Sequence, residues 1–183
     1  MKKAALITIV FLLAQAPALA HGKEQAYNVL LAGGSQSNMI TIWLTSDGQS
    51  YVIDSVVPLE VGGEICQNPA GNPNELICQA SMVGSFEVNA GAGDDVVTTA
   101  KGISIPVIMR AGSGNDALSG GAGPDKLIGG TGDDRLIGRS GADLIYGGDG
   151  ADQIYGGWGN DVLSGGAGED SIFDRHGPNR LLE

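Results

Sequence analysis

A nine-residue repeat constrains this chain more than any other feature of its sequence. From Ala111 to Phe173 the chain passes through seven units in constant register, with Gly always fourth, Asp always sixth and Leu or Ile always eighth. The units read AGSGNDALS, GGAGPDKLI, GGTGDDRLI, GRSGADLIY, GGDGADQIY, GGWGNDVLS and GGAGEDSIF. A short fixed period predicts stacked units, because a single unit cannot bury its own apolar face. We therefore expect a solenoid.

The repeat continues in weaker form after the seventh unit. Residues 174–182, DRHGPNRLL, keep Gly177 in the fourth position, with Asn179 in the place of Asp and Leu181 in the apolar place. We interpret this stretch as a degenerate eighth unit that caps the stack.

Weaker units also precede the regular ones. Residues 90–98, AGAGDDVVT, fit the pattern and are followed by twelve residues, 99–110, three more than one unit. We expect an irregular coil at this insert. Residues 33–41 keep Asn38 and Ile40 in the sixth and eighth positions, which hints that coils begin near residue 30.

Each unit is expected to form a six-residue loop and a three-residue strand. Glycines at positions one, two and four permit positive φ, so the loop carbonyls can turn toward a common centre that the Asp carboxylate also faces. By strand alternation, position eight points inward and positions seven and nine point to solvent. The inward side chains are Leu118, Leu127, Leu136, Ile145, Ile154, Leu163 and Ile172.

The oxygen donors of these loops favour calcium. Ca²⁺ accepts six to eight irregularly placed oxygen ligands, whereas Mg²⁺ requires a tight octahedron and Zn²⁺ prefers His or Cys. Like charges on successive turns would repel each other unless a cation lay between them. We expect a divalent metal as the main partner.

The pattern resembles the G-G-x-G-x-D-x-U-x nonapeptide of the RTX, or haemolysin-type, calcium-binding proteins. The resemblance implies a right-handed parallel β-roll in which two units make one turn and calcium lies between loops on the same side. The fold class we expect is all-β, a right-handed parallel β-roll or β-helix solenoid with an irregular β-rich N-terminal cap. Arg139 departs from the family pattern, because it replaces the second-position glycine of unit four.

Stacking of alternate units pairs aspartates that lie eighteen residues apart. This arrangement gives about five calcium sites, with Asp161 and Asn179 as a weaker sixth pair and Asp95 at an isolated site before the insert. The predicted metal ligands are Asp116, Asp125, Asp134, Asp143, Asp152, Asp161, Asp170, Asp95 and Asn179.

The first twenty residues are typical of a signal peptide: Lys2 and Lys3, an apolar run over 4–14 and a small-residue cleavage site at 18–20. We predict a secreted protein, extracellular or periplasmic, that begins at residue 21. It would carry eight basic against 21 acidic residues, a formal charge of −13. This charge disfavours nucleic acid, and no stretch is long enough to span a membrane.

Residues 21–89 are expected to form the N-terminal cap, and 90–182 the roll. Short apolar runs at 28–31, 39–44, 51–54, 76–79 and 86–89 predict strands, with almost no helix. Export would favour a disulfide between Cys66 and Cys78, the alternative being two free buried thiols.

No catalytic motif is found, since the chain has neither H-E-x-x-H nor G-x-S-x-G. We expect a non-enzymatic, structural or adhesive calcium-binding protein. One alternative is a small secreted enzyme or toxin remnant with its chemistry in residues 24–110. Another is an adhesion module that uses outward position-nine residues, which are Ile128, Ile137, Tyr146, Tyr155 and Phe173.

Overall fold

The computed structural model describes residues 7–9, 27–55, 59–60, 66–69, 72–174, 176–178 and 180–182. The fold is all-β, as predicted: parallel strands stack into a solenoid of about five turns, and helix is almost absent. One 3₁₀ turn, Ala80–Met82, is the only helical element in these ranges.

Two sheets of nine strands each form the walls of the solenoid. The strands are β1 (Ile7–Ile9), β2 (Tyr27–Ala32), β3 (Met39–Leu44), β4 (Ser50–Ser55), β5 (Leu59–Glu60), β6 (Cys66–Gln67), β7 (Glu75–Gln79), β8 (Val83–Ala92), β9 (Val96–Thr99), β10 (Val107–Ser113), β11 (Ala117–Ser119), β12 (Lys126–Thr131), β13 (Arg135–Ser140), β14 (Leu144–Asp149), β15 (Gln153–Trp158), β16 (Val162–Ala167), β17 (Ser171–Phe173) and β18 (Arg180–Leu182).

Consecutive repeat units alternate between the two sheets. The first sheet has the order β18-β16-β14-β12-β10-β8-β2-β1-β5, and the second has the order β17-β15-β13-β11-β9-β3-β4-β7-β6. Parallel pairing places Leu127 beside Ile145 and Ile145 beside Leu163, each eighteen residues further on. The predicted stacking of each unit on the next but one is confirmed.

Strands in the regular repeats are longer than the sequence predicts. In β12 to β16 each strand has six residues and extends into positions one to three of the next unit. The predicted division into a six-residue loop and a three-residue strand is wrong, because the glycine positions also pair between coils, as Gly130 does with Gly148. The turn that carries Asp is correspondingly tight.

The core is a pair of aliphatic ladders, one from each sheet. The position-eight side chains from Leu118 to Leu163 are 0–1% exposed, and positions seven and nine are half-buried or exposed, as predicted. Burial decreases only at the C-terminal end, where Ile172 is partly buried and Leu181 is 62% exposed. Leu181 pairs with Leu163 on one side only, since β18 is the last strand of its sheet.

The insert before the regular units forms an irregular coil, as expected. Across it the register is 21 residues instead of eighteen, so that Arg110 pairs with Asn89. The extra residues turn through Lys101 and Gly102 and bury Ile103 completely. The solenoid therefore tolerates a longer coil here without loss of parallel pairing.

Coils begin before residue 90, as the degenerate pattern around residue 38 hinted. Strand β3 pairs in parallel with β9, which places Ile40 beside Val97 in the buried ladder. Asn38 is 2% exposed and occupies the position of the repeat aspartate.

The N-terminal strands of the second sheet pair antiparallel and extend the start of that sheet, whereas β2 of the first sheet pairs in parallel with β8. Strands β3, β4, β7 and β6 follow one another in antiparallel pairs. Cys66 lies opposite Cys78, and the predicted disulfide joins them. Each predicted strand run overlaps an observed strand, namely β2, β3, β4, β7 and β8.

Most of the predicted signal peptide lies outside the described residues. Within it the structure describes only β1, which pairs with β2 and β5 at the edge of the first sheet. Signal cleavage stays a prediction. Among the described residues, no helix is long and apolar enough to cross a membrane.

The buried ladder predicts a clear difference between adjacent positions of β13. Leu136→Ala should lower the free energy of unfolding in calcium by about 2–5 kcal/mol, because Leu136 is fully buried and the change leaves a cavity. Ile137→Ala, at a half-buried outward position, should have a smaller effect. Urea unfolding followed by circular dichroism measures both, and equal losses would contradict the inward assignment of position eight.

Candidate metal centre

The repeat aspartates form two columns, one along each edge at which the chain passes between the sheets. The first column consists of the residues that directly precede strands of the second sheet: Asn38, Asp95, Asp116, Asp134, Asp152 and Asp170. The second column consists of Asp125, Asp143 and Asp161, which precede strands of the first sheet. All except Asp170 are at most 3% exposed.

Within each column, every carboxylate accepts a hydrogen bond from the backbone of the coil below it. The N–H of Asp116 donates to Asp134 Oδ1 over 2.8 Å, and the N–H of Asp134 donates to Asp152 Oδ1 over 2.9 Å. The same bond links Asp125 to Asp143, Asp143 to Asp161 and Asp152 to Asp170. The five predicted pairs are thus stacked neighbours.

Asp95 is not isolated, contrary to expectation. It is fully buried, and its N–H donates to Asp116 Oδ1 over 2.7 Å despite the longer coil between them. Its own Oδ1 accepts the backbone N–H and the side-chain amide of Asn38. Asp95 therefore belongs to the first column. The extra residues of the insert lie away from the turn that carries the aspartate, so they do not disturb the stacking of Asp95 on Asp116.

The second carboxylate oxygen is left without a hydrogen-bond partner. Oδ2 is buried and accepts no hydrogen bond in Asp95, Asp116, Asp134, Asp143 and Asp152. A buried polar group without a partner costs free energy, and a buried charge costs more. A cation at these oxygens would remove that cost.

A carbonyl oxygen faces the same space as Oδ2 in four consecutive units, the first of which begins at Gly120. A Cβ built on Gly129 would come closer than 3.0 Å to both Asp134 Oδ2 and the carbonyl oxygen of Gly147. Gly138 and Gly147 repeat this arrangement in the next two units. We call each such space a cradle. Position one needs glycine because a side chain would fill the cradle, and not, as predicted, because of positive φ, which occurs at positions two and four.

The first units differ at this position. Ala90 and Ala111 stand in position one and are fully buried, so each brings a methyl group to the place where later units have glycine. Asp95 and Asp116 therefore lack an open cradle of the kind seen at Gly129.

Asp125 also differs from its neighbours. Its Oδ1 accepts the N–H of Val107 over 2.9 Å, and its Oδ2 accepts the N–H of Gly121 in its own loop over 2.6 Å. Both oxygens are thus already bonded to the backbone.

At the C-terminal end, a residue that the sequence did not single out joins the site. Asp174 stands in position one of the eighth unit, and both its carboxylate oxygens are buried and accept no hydrogen bond. A Cβ on Gly156 would meet Asp161 Oδ2 at 2.7 Å and Asp174 Oδ2 at 3.0 Å. A side-chain carboxylate thus takes the place of the position-one carbonyl, while the predicted ligand Asn179 lies outside the described residues.

Burial makes these carboxyl groups harder to ionise without a metal. Desolvation raises the pKa of Asp134 to about 7, with further increases from the charges of Asp116 and Asp152. Desolvation likewise raises the pKa of Asp143 to about 7. Desolvation is also the largest cause of the raised pKa of four further carboxyl groups, those of Asp95, Asp116, Asp152 and Asp161.

No three His, Cys, Asp or Glu side chains converge on one point in the described part of the chain. A metal here would be held by one or two carboxylates together with backbone carbonyls. This donor set contains only oxygen, which suits a hard cation such as Ca²⁺ and not Zn²⁺. The observed cradles therefore fit the predicted metal.

Comparison with protein families gives one match, over the regular units. Residues 110–145 and 137–172 match the family model of the RTX calcium-binding nonapeptide repeat (4 copies). The matched stretch covers about a third of the 183 residues. No curated protein and no solved structure matches the chain.

The raised pKa values predict that protons partly replace the metal. Without calcium, Asp134 and Asp143 have a folded pKa of about 7, above the ~3.9 of an unfolded Asp. Between about pH 4 and 7 the folded chain binds more protons, so its stability rises as pH falls through that window. Far-UV circular dichroism of EDTA-treated protein should show more β signal near pH 5 than near pH 8.

The double variant Asp134→Asn, Asp143→Asn is the matched test of this effect. It should lose much of the pH dependence, whereas Asp149→Asn, at an exposed position, should retain it. A metal-free β signal that stays constant across the same pH range would contradict the prediction.

Proposed function

We propose that this chain, in which residues 110–172 are RTX calcium-binding nonapeptide repeats, is a secreted structural protein whose β-roll folds when calcium enters the cradles. The buried Oδ2 atoms that accept no hydrogen bond carry this proposal. The carboxylates of each column are stacked one coil apart and repel each other. Calcium between them would neutralise their charge.

We assign one ion to each of four cradles. They lie at Gly129, Gly138, Gly147 and Gly156, with Asp134, Asp143, Asp152 and Asp161 as the carboxylate ligands of the same unit. The carbonyl oxygens of Gly147, Gly156 and Gly165 complete the first three, and Asp174 completes the fourth. We assign no ion to Asp95 or Asp116, because Ala90 and Ala111 occupy the corresponding space.

Calcium binding would contribute directly to the folding free energy of the repeats. A preformed site does not exist in an unfolded chain, so the free energy of metal binding stabilises the fold. Extracellular calcium modules commonly bind at about 10⁻⁴ to 10⁻³ M. At that affinity the roll would stay unfolded in the cytosol and fold after export, which agrees with the predicted signal peptide and the disulfide.

A paired substitution tests the assignment of the cradles. Asp134→Ala with Asp152→Ala removes two adjacent ligands of the first column, so calcium should induce less β signal and at higher concentration. Circular dichroism of EDTA-treated protein titrated with CaCl₂, and with MgCl₂ in parallel, measures the response.

Asp149→Ala is the control, because Asp149 is an exposed position-three residue with the same charge. It should leave the calcium midpoint unchanged. A wild-type spectrum that is fully β-rich in EDTA and indifferent to calcium would overturn the proposed function.

A second, adhesive function is favoured by an aromatic groove near the C-terminal end. Tyr155 stacks on Phe173 with ring centroids 5.0 Å apart, and Trp158 stacks on His176 at 3.8 Å. These four rings and Gly157 line a cleft of about 230 Å³. Trp158 is 65% exposed and Phe173 48% exposed, which is unusual for such large apolar side chains.

We propose a neutral glycan chain as the partner of this groove. Flat aromatic faces offer apolar area to the faces of sugar rings, and the formal charge of −11 would repel an anionic polysaccharide. Surface binding through the groove would make the roll an adhesive or matrix component.

Removal of two rings tests the adhesive function. Tyr155→Ser with Trp158→Ser should reduce retention on neutral polysaccharide by about tenfold or more, the equivalent of ~1.4 kcal/mol, while calcium-induced folding is retained. Tyr146→Ser, an outward tyrosine of the other sheet, is the matched control and should bind as wild type. Equal binding by all three proteins, or preference for anionic polysaccharide, would exclude the groove as a glycan site.

A further inference from the structure

Arg139 is the only non-glycine residue with positive φ in the described part of the chain, at 80°. It occupies position two of unit four, where the other regular units have glycine. The left-handed conformation is unfavourable for a residue with a Cβ, because the Cβ comes too close to the following carbonyl oxygen. Contacts of the arginine side chain must offset this cost.

The guanidinium reaches back across two earlier coils to backbone oxygens. Its Nη1 donates to the carbonyl oxygens of Thr99 and Gly120, the latter over 2.6 Å. Gly120 is the position-one residue of unit two, the unit directly below Arg139 in the stack. In units five to seven the position-one carbonyl is the oxygen that faces a cradle. The positive charge of Arg139 thus lies at a position-one carbonyl oxygen, and in the later units this oxygen faces a proposed metal site.

The cradle below Arg139 is also the one in which the carboxylate has no spare oxygen. A Cβ on Gly120 would meet Asp125 Oδ2 and the carbonyl oxygen of Gly138, as in the other cradles. Yet Asp125 Oδ2 accepts the N–H of Gly121, whereas Oδ2 of Asp134 and Asp143 accepts none. The loop itself differs, because its second and fourth glycines, Gly121 and Gly123, lack the positive φ of the later units.

We infer that Arg139 is a built-in cation that serves unit two in place of a metal ion, with its guanidinium on the carbonyl oxygens of Thr99 and Gly120. The inference rests on the proposed calcium function of the other cradles. It means that unit two closes without metal, because backbone N–H groups bond both oxygens of Asp125 and the charge of Arg139 lies nearby. The remaining cradles depend on calcium.

The electrostatics of the pair agree with this role. Desolvation raises the pKa of Asp125 to about 6, while the N–H groups of Gly121 and Val107 and the charge of Arg139 lower it. Burial lowers the pKa of Arg139 and Asp125 raises it. A guanidinium keeps its charge in proteins, so Arg139 supplies a positive charge to the folded roll without a metal ion at this place.

The test is the number of bound calcium ions in the variant Arg139→Gly, which restores the repeat residue. Native mass spectrometry of the calcium-loaded chain should show one ion more than wild type, because the carbonyl oxygens of Thr99 and Gly120 lose their cation close to Asp125. Arg139→Lys retains a cation and should show the wild-type number. Arg135→Gln removes an equal charge from an exposed position of the same strand, β13, and should also leave the number unchanged.

A second measurement keeps the inference testable if the extra ion binds weakly. In saturating calcium, hydrogen exchange should show that residues 99–125 of wild type are protected and that Arg139→Gly loses part of this protection, while Arg135→Gln retains it. An unchanged ion number together with unchanged protection in Arg139→Gly would overturn the role of Arg139. Absence of calcium binding by wild type would instead overturn the proposed function.

Discussion

The burial of like charges is the constraint on which the rest of this structure depends. A parallel solenoid with an eighteen-residue coil places each aspartate directly over the next, and the backbone bonds one carboxylate oxygen of each pair. The other oxygen is enclosed and faces glycine and a carbonyl. Charged oxygens in such surroundings are stable only if a cation or a proton joins them.

The turns of this chain differ in how they meet that constraint. In the middle of the stack the oxygens form open cradles suited to calcium, and at unit two Arg139 supplies a positive charge from the chain itself. At the C-terminal end Asp174 adds a further carboxylate, which increases the need for a cation there. The same repeat therefore varies by single residues in how its charge is balanced.

Much of the fold could be predicted from the sequence, because residues eighteen positions apart in a constant repeat must be neighbours in the stack. Constant spacing made Asp134 the neighbour of Asp116 and Leu136 part of the core, and the structure has both arrangements. The length of the strands was not predictable in this way, since glycine-rich positions have low strand propensity and pair only because the adjacent coil holds them. The inclusion of Asp95 in the column also depended on the path of the insert.

Other parts of the site depended on contacts that no local pattern encodes. Arg139 contacts Thr99, forty residues earlier, so its departure from the repeat could be noticed in the sequence but its partner could not. Asp174 could have been suspected, because a carboxylate in position one breaks a run of glycines. The antiparallel strands β4, β7 and β6 carry no repeat at all. The sequence predicted β4 and β7 without their order and did not predict β6.

The eighteen-residue register also determines how such a molecule can change in length. Addition or removal of two units adds or removes one whole coil, about 4.8 Å along the stack, and leaves every other residue in its sheet and column. Addition of a single unit would move all later strands into the opposite sheet and exchange the two metal-binding edges. Growth of the roll is therefore quantised in pairs of units, and a duplication of one unit would be a change of architecture.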